Sequence, residues 1–252
     1  MRVFTRGVLA VLACGALALP VQAAEISLYT GAVFKSALDD LLPRFEVRSG
    51  HHVTIVYDST AGIEKRINGG AAFDVVIASQ KAVQGWAQSG IVTSDAAEKV
   101  GVARAALGFP ANAKVPDIST DEKFRAVVLG AAVISSSDPA AGGASAVFFQ
   151  TEIKRLGIAD AVQSHLLLTK PGVAPGPVAD GKATLAVAMT SEIAGYPGLQ
   201  SAVFFPDHPG GALVLTAAIS AKAAQKEAAA ALISFLAAPE AAAVGRSKGL
   251  AE

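Results

Sequence analysis

The chain has 252 residues, 52% of them hydrophobic and 17% charged, with 21 basic residues balanced by 21 acidic ones. No block of like charge occurs, so the basic footprint that a nucleic-acid partner needs is missing. The only cysteine, Cys14, lies in the N-terminal leader, which leaves no thiol nucleophile and no disulfide framework in the body of the chain.

The leader is residues 1–23. Arg2 and Arg6 form a basic start, Gly7 to Leu19 is an apolar run, and Val21-Gln22-Ala23 ends in a small residue suited to cleavage, the pattern of a secretory signal peptide. At about a dozen residues the run is too short for a membrane span. Cleavage before Cys14, as in a lipoprotein, is the alternative to the conventional site at Ala23. Removing Arg2 and Arg6 gives the mature chain a net charge of −2. No later segment has the uninterrupted apolar length of a transmembrane helix, and about 229 residues can bury a large core as one domain or two lobes.

Ile26 to Tyr29 reads as a strand and Thr30-Gly31-Ala32 as the turn after it. A helix follows, with Val33, Phe34, Ala37, Leu38, Leu41, Leu42 and Phe45 on one face, a kink expected at Pro43 and a stop at Ser49-Gly50. Val53 to Asp58 alternates as a strand and runs into Ser59-Thr60-Ala61-Gly62. The helix Ile63 to Ile67 then closes at Asn68-Gly69-Gly70. Phe73 to Ser79 is a continuous apolar strand of the buried parallel kind, and Lys81 to Ser89 is a helix whose Trp86 is read as packing. Strand and helix alternating over 55 residues define a doubly wound α/β unit.

Val102 to Pro110 is a further strand, after which the chain crosses into a second lobe. There, Glu122 to Leu129 reads as a helix and Ala131 to Ser135 as a strand. Ser136 to Ser145 is a turn rich in small residues, followed by a helix with Val147, Phe148, Ile153 and Leu156 inward. His165 to Leu168 and Thr184 to Met189 read as strands, Leu213 to Ile219 as a returning strand, and Lys222 to Leu236 and the segment from Pro239 as the last helices. Lobe I is thus 24–106 with 206–252 and lobe II is 107–205, with hinges at Phe109 to Lys114 and Met189 to Phe205.

Three turns rich in hydroxyls or glycine follow strands: Thr30 to Ala32, Ser59 to Gly62, and Gly142 to Ser145. Ligands of open α/β sheets sit beyond the carboxyl ends of the strands, where unpaired helix N–H groups and the helix dipole favour an anion. Taken singly, Ser59 or Thr60 is a helix cap. Together the turns define a cleft that could hold a dehydrated anion without a full positive charge.

Four segments carry a family resemblance: LYTGAVFKSALDDLLPRFEVRSG, DSTAGIEKRINGGAAFDVVIAS, DPAAGGASAVFFQTEIKRLGI and ALISFLAAPEAAAVGRSKGL. Over its mature length the chain resembles the periplasmic molybdate-binding proteins of ABC importers, in a divergent branch. The resemblance implies a two-lobed periplasmic-binding-protein fold, each lobe a mostly parallel doubly wound sheet flanked by helices, with the ligand in the interlobe cleft. It implies a monomer that hands a small anionic ligand to an inner-membrane ABC permease, with no cofactor and any metal bound only as an oxyanion. In that family two serines, backbone N–H groups and a tyrosine hydroxyl hold the oxyanion. Position by position, the first serine falls on Val33 or, with a shift, among Thr30, Gly31 and Ala32. The second falls on Thr60, the backbone donors on Ala144 or Ser145 and near Val173, and the tyrosine on Met189. Thr30, Ser59, Ser145 and Ser191 are the hydroxyls that could replace those lost. Lys170 to Pro177 is too rich in Pro and Gly for the helix the family places there.

The expected role is a receptor for molybdate or tungstate. A small organic or other inorganic anion is the alternative that Val33 and Met189 motivate, and a non-transport secreted domain is the remaining one. An enzyme is not expected. His51, His52, His165 and His208 lack the spacing of metal ligands, and no Gly-x-Ser-x-Gly elbow occurs.

Overall fold

Residues 23–203 and 211–251 are described by a computed structural model. Leader residues 1–22, with Cys14, and also Phe205 and His208 lie outside them. Strand β1 (Glu25–Thr30) passes through a 3-10 turn (Ala32–Phe34) into helix α1 (Lys35–Ser49). Next come β2 (His52–Tyr57), α2 (Thr60–Asn68), β3 (Val75–Ser79) and α3 (Gln80–Gln88). The long strand β4 (Glu98–Pro110) leads to α4 (Asp121–Gly130), β5 (Ile134–Ser137), a 3-10 turn (Pro139–Ala141), α5 (Ala144–Arg155) and α6 (Ala159–Gln163). The chain continues through β6 (Leu166–Thr169), α7 (Gly176–Ala179), β7 (Leu185–Met189), α8 (Thr190–Ala194) and β8 (Leu199–Val203). It returns through β9 (Ala212–Ile219), α9 (Lys226–Leu236) and α10 (Pro239–Ser247).

The strands run in the order β2-β1-β3-β9-β4-β7-β5-β6, with β8 paired to β4. Each lobe has a parallel trio, β2-β1-β3 in one and β7-β5-β6 in the other. Antiparallel β9 and β4 join the two parallel trios into one sheet. Strand β4 is shared. Its residues up to Arg104 pair with β9, those from Ala105 pair with β7, and Ala106 to Pro110 also pair with β8. Within β4 the partner strand thus changes from β9 to β7 between Arg104 and Ala105.

The elements form where residue spacing lets them bury one face. Helix α1 turns Ala37, Leu38, Leu41, Leu42 and Phe45 inward, runs on through the exposed Pro43, and ends where Gly50 takes φ +73°. Thr120 and Ser79 cap α4 and α3 by accepting Lys123 N–H and Ala82 N–H. The main core runs through both lobes, from Leu28, Phe34 and Leu38 to Phe124, Phe149 and Val187. Trp86 is buried with Tyr29, Phe73 and Val76, as packing.

Several starts differ from expectation. β4 starts at Glu98 rather than Val102, β5 at Ile134 rather than Ala131 and α9 at Lys226 rather than Lys222, and β8 was not anticipated. The Pro/Gly segment from Lys170 ends in only the short α7. The turns rich in hydroxyls or glycine lie at the carboxyl ends of the parallel strands β1, β2 and β5.

Candidate functional site

At the carboxyl ends of β1 and β2 the backbone is extended at Gly31 (φ −79°, ψ 155°) and Ser59 (φ −67°, ψ 161°) before turning helical. The same happens at Gly143, ahead of α5. Each such turn leaves first-turn N–H groups without an intrahelical partner. A cavity of about 200 Å³ opens between them. One lobe lines it with Gly31, Ala32, Val33, Tyr57, Asp58, Ser59 and Thr60, together with Leu213 of β9. The other contributes Gly142, Gly143, Ala144, Pro171, Gly172, Met189 and Glu192. Among the described residues no lysine or arginine lines the cavity, and no group of three or more His, Cys, Asp or Glu is placed to hold a metal ion.

Of the expected site residues, Gly31, Ala32, Val33, Ser59, Thr60, Ala144 and Met189 meet in this wall. Thr30, Ser145, Val173 and Ser191 do not. Thr30 is fully buried at the end of β1 and directs its hydroxyl to the Gly31 carbonyl. Ser145 is buried within the first turn of α5, and Val173 is 45% exposed beyond the cleft. Ser191 donates its hydroxyl to the Val33 carbonyl at 2.6 Å and is used up as a tie between α8 and the Ala32–Phe34 turn. Ser36 adds a second tie by donating to the Ser191 carbonyl.

Ser59 combines two readings. Its Oγ accepts Gly62 N–H at 3.1 Å as a cap, and its hydroxyl hydrogen is left for the cavity. Asp58 is not a free charge. It accepts Ser59 N–H at 2.8 Å and Arg66 Nε at 2.9 Å. Its carboxylate lies so close over α2 that a Cβ on Gly62 would fall 2.0 Å from it. Met189, onto which the resemblance carries a tyrosine, is buried and offers only a thioether, a weak acceptor.

Among the lining residues that sequence reasoning missed are Tyr57 and Glu192. The Tyr57 hydroxyl is buried and has no hydrogen-bond partner. Burial, with the Asp39 charge second, pushes its pKa up to about 12, so it stays a donor. Tyr57 thus lines the cavity from the first lobe, and Met189 lines it from the second. Alternation along β2 put Tyr57 on one face of the strand, but nothing local says that this face ends at a cleft. Glu192 follows Met189 by three residues. It accepts Met189 N–H at 2.9 Å, and burial raises its carboxyl above the usual range, partly offset by that bond.

The three described histidines stay outside the site. His51 Nδ1 accepts Ala24 N–H, His52 pairs with Glu46, and His165 Nδ1 contacts the Ala131 carbonyl.

The unpaired Tyr57 hydroxyl gives a prediction with two signs. Without ligand, Tyr57→Phe should be neutral or slightly stabilising, since it removes a buried polar group that has no partner. Toward an anion it should cost about tenfold in affinity, the size of one hydrogen bond to a charged group. Melting curves of the free protein and a ligand titration of both forms check the pair of signs.

Two lobes that share a strand and converge their N–H-rich turns on one cleft are the build of a solute-binding protein. Residues 26–251 match the profile of the bacterial extracellular solute-binding proteins, and the chain belongs to that family. It is 26% identical over 253 residues to an aconitate isomerase of Pseudomonas sp., covering 95% of both chains. It is 35% identical to the molybdate-binding protein ModA of Azotobacter vinelandii over 68 residues, 27% of each chain. The solved Azotobacter vinelandii periplasmic molybdate-binding protein superposes with a TM-score of 0.73 at 20% identity, covering 90% of this chain and 99% of that one. The fold is that of the two-lobed periplasmic binding proteins.

Proposed function

We propose that this chain is the periplasmic receptor of an ABC importer, a monomer that closes its lobes on one small anion and presents it to an inner-membrane permease. The observation that carries the proposal is the convergence of the Gly31–Val33, Ser59–Thr60 and Gly143–Ala144 turns on one cavity to whose wall the described residues contribute no cationic side chain. Oxygens of the ligand accept hydrogen bonds from backbone N–H groups and from Thr60, Ser59 and Tyr57, and the closed lobes exclude water, so each bond is stronger than in solvent. Closure is selected because only the closed arrangement brings both sets of donors to the ligand.

Two ligands share this chemistry. A molybdate or tungstate oxyanion, in which metal enters only as part of the ligand, is supported by the helix-start donors and by likeness to the molybdate-binding protein. A small carboxylate is supported by the apolar wall of Val33, Met189 and Leu213, by a cavity roomier than a five-atom oxyanion fills, and by full-length likeness to an aconitate isomerase. Thermal unfolding with molybdate, tungstate, sulfate, hydrogen phosphate, trans-aconitate and citrate separates them. At 100 times its dissociation constant the true ligand adds about 2.7 kcal/mol, a rise of roughly 5 to 11 °C for a chain of this size. A shift with none of these anions would overturn the receptor assignment. Binding without turnover is the proposed activity, so conversion of trans-aconitate to its cis isomer, followed by absorbance, would replace it with catalysis.

A further inference from the structure

We propose that Glu192 and the anion share one proton when the cleft closes, so that the receptor binds anion plus proton and sorts anions by whether they bring a hydrogen of their own. This rests on the receptor assignment above. One carboxyl oxygen of Glu192, Oε2, accepts Met189 N–H at 2.9 Å. The other, Oε1, accepts from no described group and lies 4.0 Å from the point a Cβ on Gly172 would occupy, beside Ala32 where the two lobes touch. Asp58 and Glu192 are the two carboxylates of the cavity wall, and only Asp58 has a cationic partner.

The neighbours leave Glu192 without a countercharge. In the cavity wall Asp58 is engaged by Ser59 N–H and Arg66, and Tyr57 is a neutral phenol. Of the elements packed against α8, the strands β7 and β8 and the Ala32–Phe34 turn carry no ionisable residue. On α1, Lys35 pairs with Asp39 and Asp40 pairs with Lys248. Arg44, Glu46 and Arg48 sit in that helix's C-terminal half. On β4, Arg104 lines a separate groove with Thr190 and Ile193, while Glu98 and Lys99 lie at the far end of the strand. Tyr196 adds no positive charge, and its own ionisation is made harder by burial and then by Glu192 and Asp180. An anion entering this space meets a second negative charge at close range and low dielectric. A proton on Glu192 removes that repulsion and turns Oε1–H into a donor. Burial has already moved the carboxyl in this direction.

The balance is one carboxylate, one proton from solvent and one anion giving a neutral carboxyl hydrogen-bonded to the anion. An anion that already carries a hydrogen, such as hydrogen phosphate, supplies the shared proton itself and takes none from solvent. The sign follows from linkage. Because ligand raises the Glu192 pKa, affinity is greatest below the free-state pKa. It falls as pH rises through that value, by up to tenfold per unit, until the pKa of the complex is passed.

The test is calorimetric titration of the mature chain with molybdate and with trans-aconitate between pH 5 and 8, in buffers of different ionisation enthalpy. Uptake approaching one proton per bound anion is expected, together with a loss of affinity of three- to tenfold per pH unit through the steep part of the range. Glu192→Gln keeps an acceptor for Met189 N–H and presents a permanent donor, so it should take up no proton and show a flat profile. At pH 8 it should bind more tightly than the parent. Binding by the parent with no proton uptake, or an equal pH slope in the Gln variant, would overturn the inference and leave the receptor assignment standing. If the parent binds neither these probes nor the other anions tried, the assignment falls and the inference falls with it.

Discussion

Gly172→Val is expected to weaken anion capture by at least a hundredfold while the protein remains folded. Gly172 sits on the loop between β6 and α7 at φ +82°, and a Cβ there would lie 2.3 Å from the Ala32 Cβ of the opposite lobe. No contact between saturated carbons survives at that distance, so something must move. The cheapest movement is opening of the cleft, because the two atoms belong to different lobes and β4 is the element they share. Backbone strain at positive φ adds about 1 to 2 kcal/mol, which lowers the melting temperature by several degrees and leaves the cores intact. Opening withdraws the Gly143, Ala144 and Gly172 side from a ligand held at Ser59 and Thr60. Losing two hydrogen bonds to a charged ligand removes about 3 to 6 kcal/mol, more than the roughly 2.7 kcal/mol that a hundredfold represents. Small-angle scattering of the variant should show the extended form with and without ligand. Wild-type affinity in a folded Gly172→Val protein would mean that the lobes need not approach at this point.

The sequence made visible those features that depend on near neighbours. The run Val75-Val76-Ile77 and the three- and four-residue spacing of α1 specify their elements without help from the rest of the chain. The Ser59 turn was legible both as a cap and as a site, and it serves as a cap in the structure while also lining the cavity. Features set by distant partners were not legible. Leu199 to Val203 is short, follows a Tyr-Pro-Gly turn, and becomes β8 only because β4 pairs with it. Whether a hydroxyl faces ligand or scaffold was equally hidden. Ser191 is spent on a carbonyl 158 residues away, a partner that no local pattern encodes. Gly172 and Glu192 enter the site through a loop conformation and a lobe contact, and neither leaves a mark in composition or periodicity.

The start of α9 poses the same problem, and its resolution gives the largest expected effect on stability. Lys222 to Leu236 reads as one Ala-rich helix, yet the helix begins at Lys226 because Gln225 N–H is held by Asp74 Oδ1 at 3.1 Å, 151 residues away. Asp74 is buried just before β3, and its second oxygen accepts both Ser27 N–H at 2.9 Å and the Ser27 hydroxyl at 3.0 Å. One carboxylate therefore ties β1, the start of β3 and the first turn of α9, where the helix dipole also favours a negative charge. Asp74→Ala leaves two backbone N–H groups and a hydroxyl without acceptors. At about 1 to 3 kcal/mol for each unsatisfied buried group, the expected loss is about 3 to 5 kcal/mol, a fall in melting temperature of roughly 10 °C. Asp74→Asn keeps one oxygen and should lose about half as much. Both variants should keep their affinity for anion below the lowered transition, because Asp74 has no part in the cavity wall. Hydrogen exchange should quicken first at Ser27 and Gln225. If Asp74→Ala melts within 2 °C of the parent, the three bonds do not hold α9 to the sheet and its late start needs another cause.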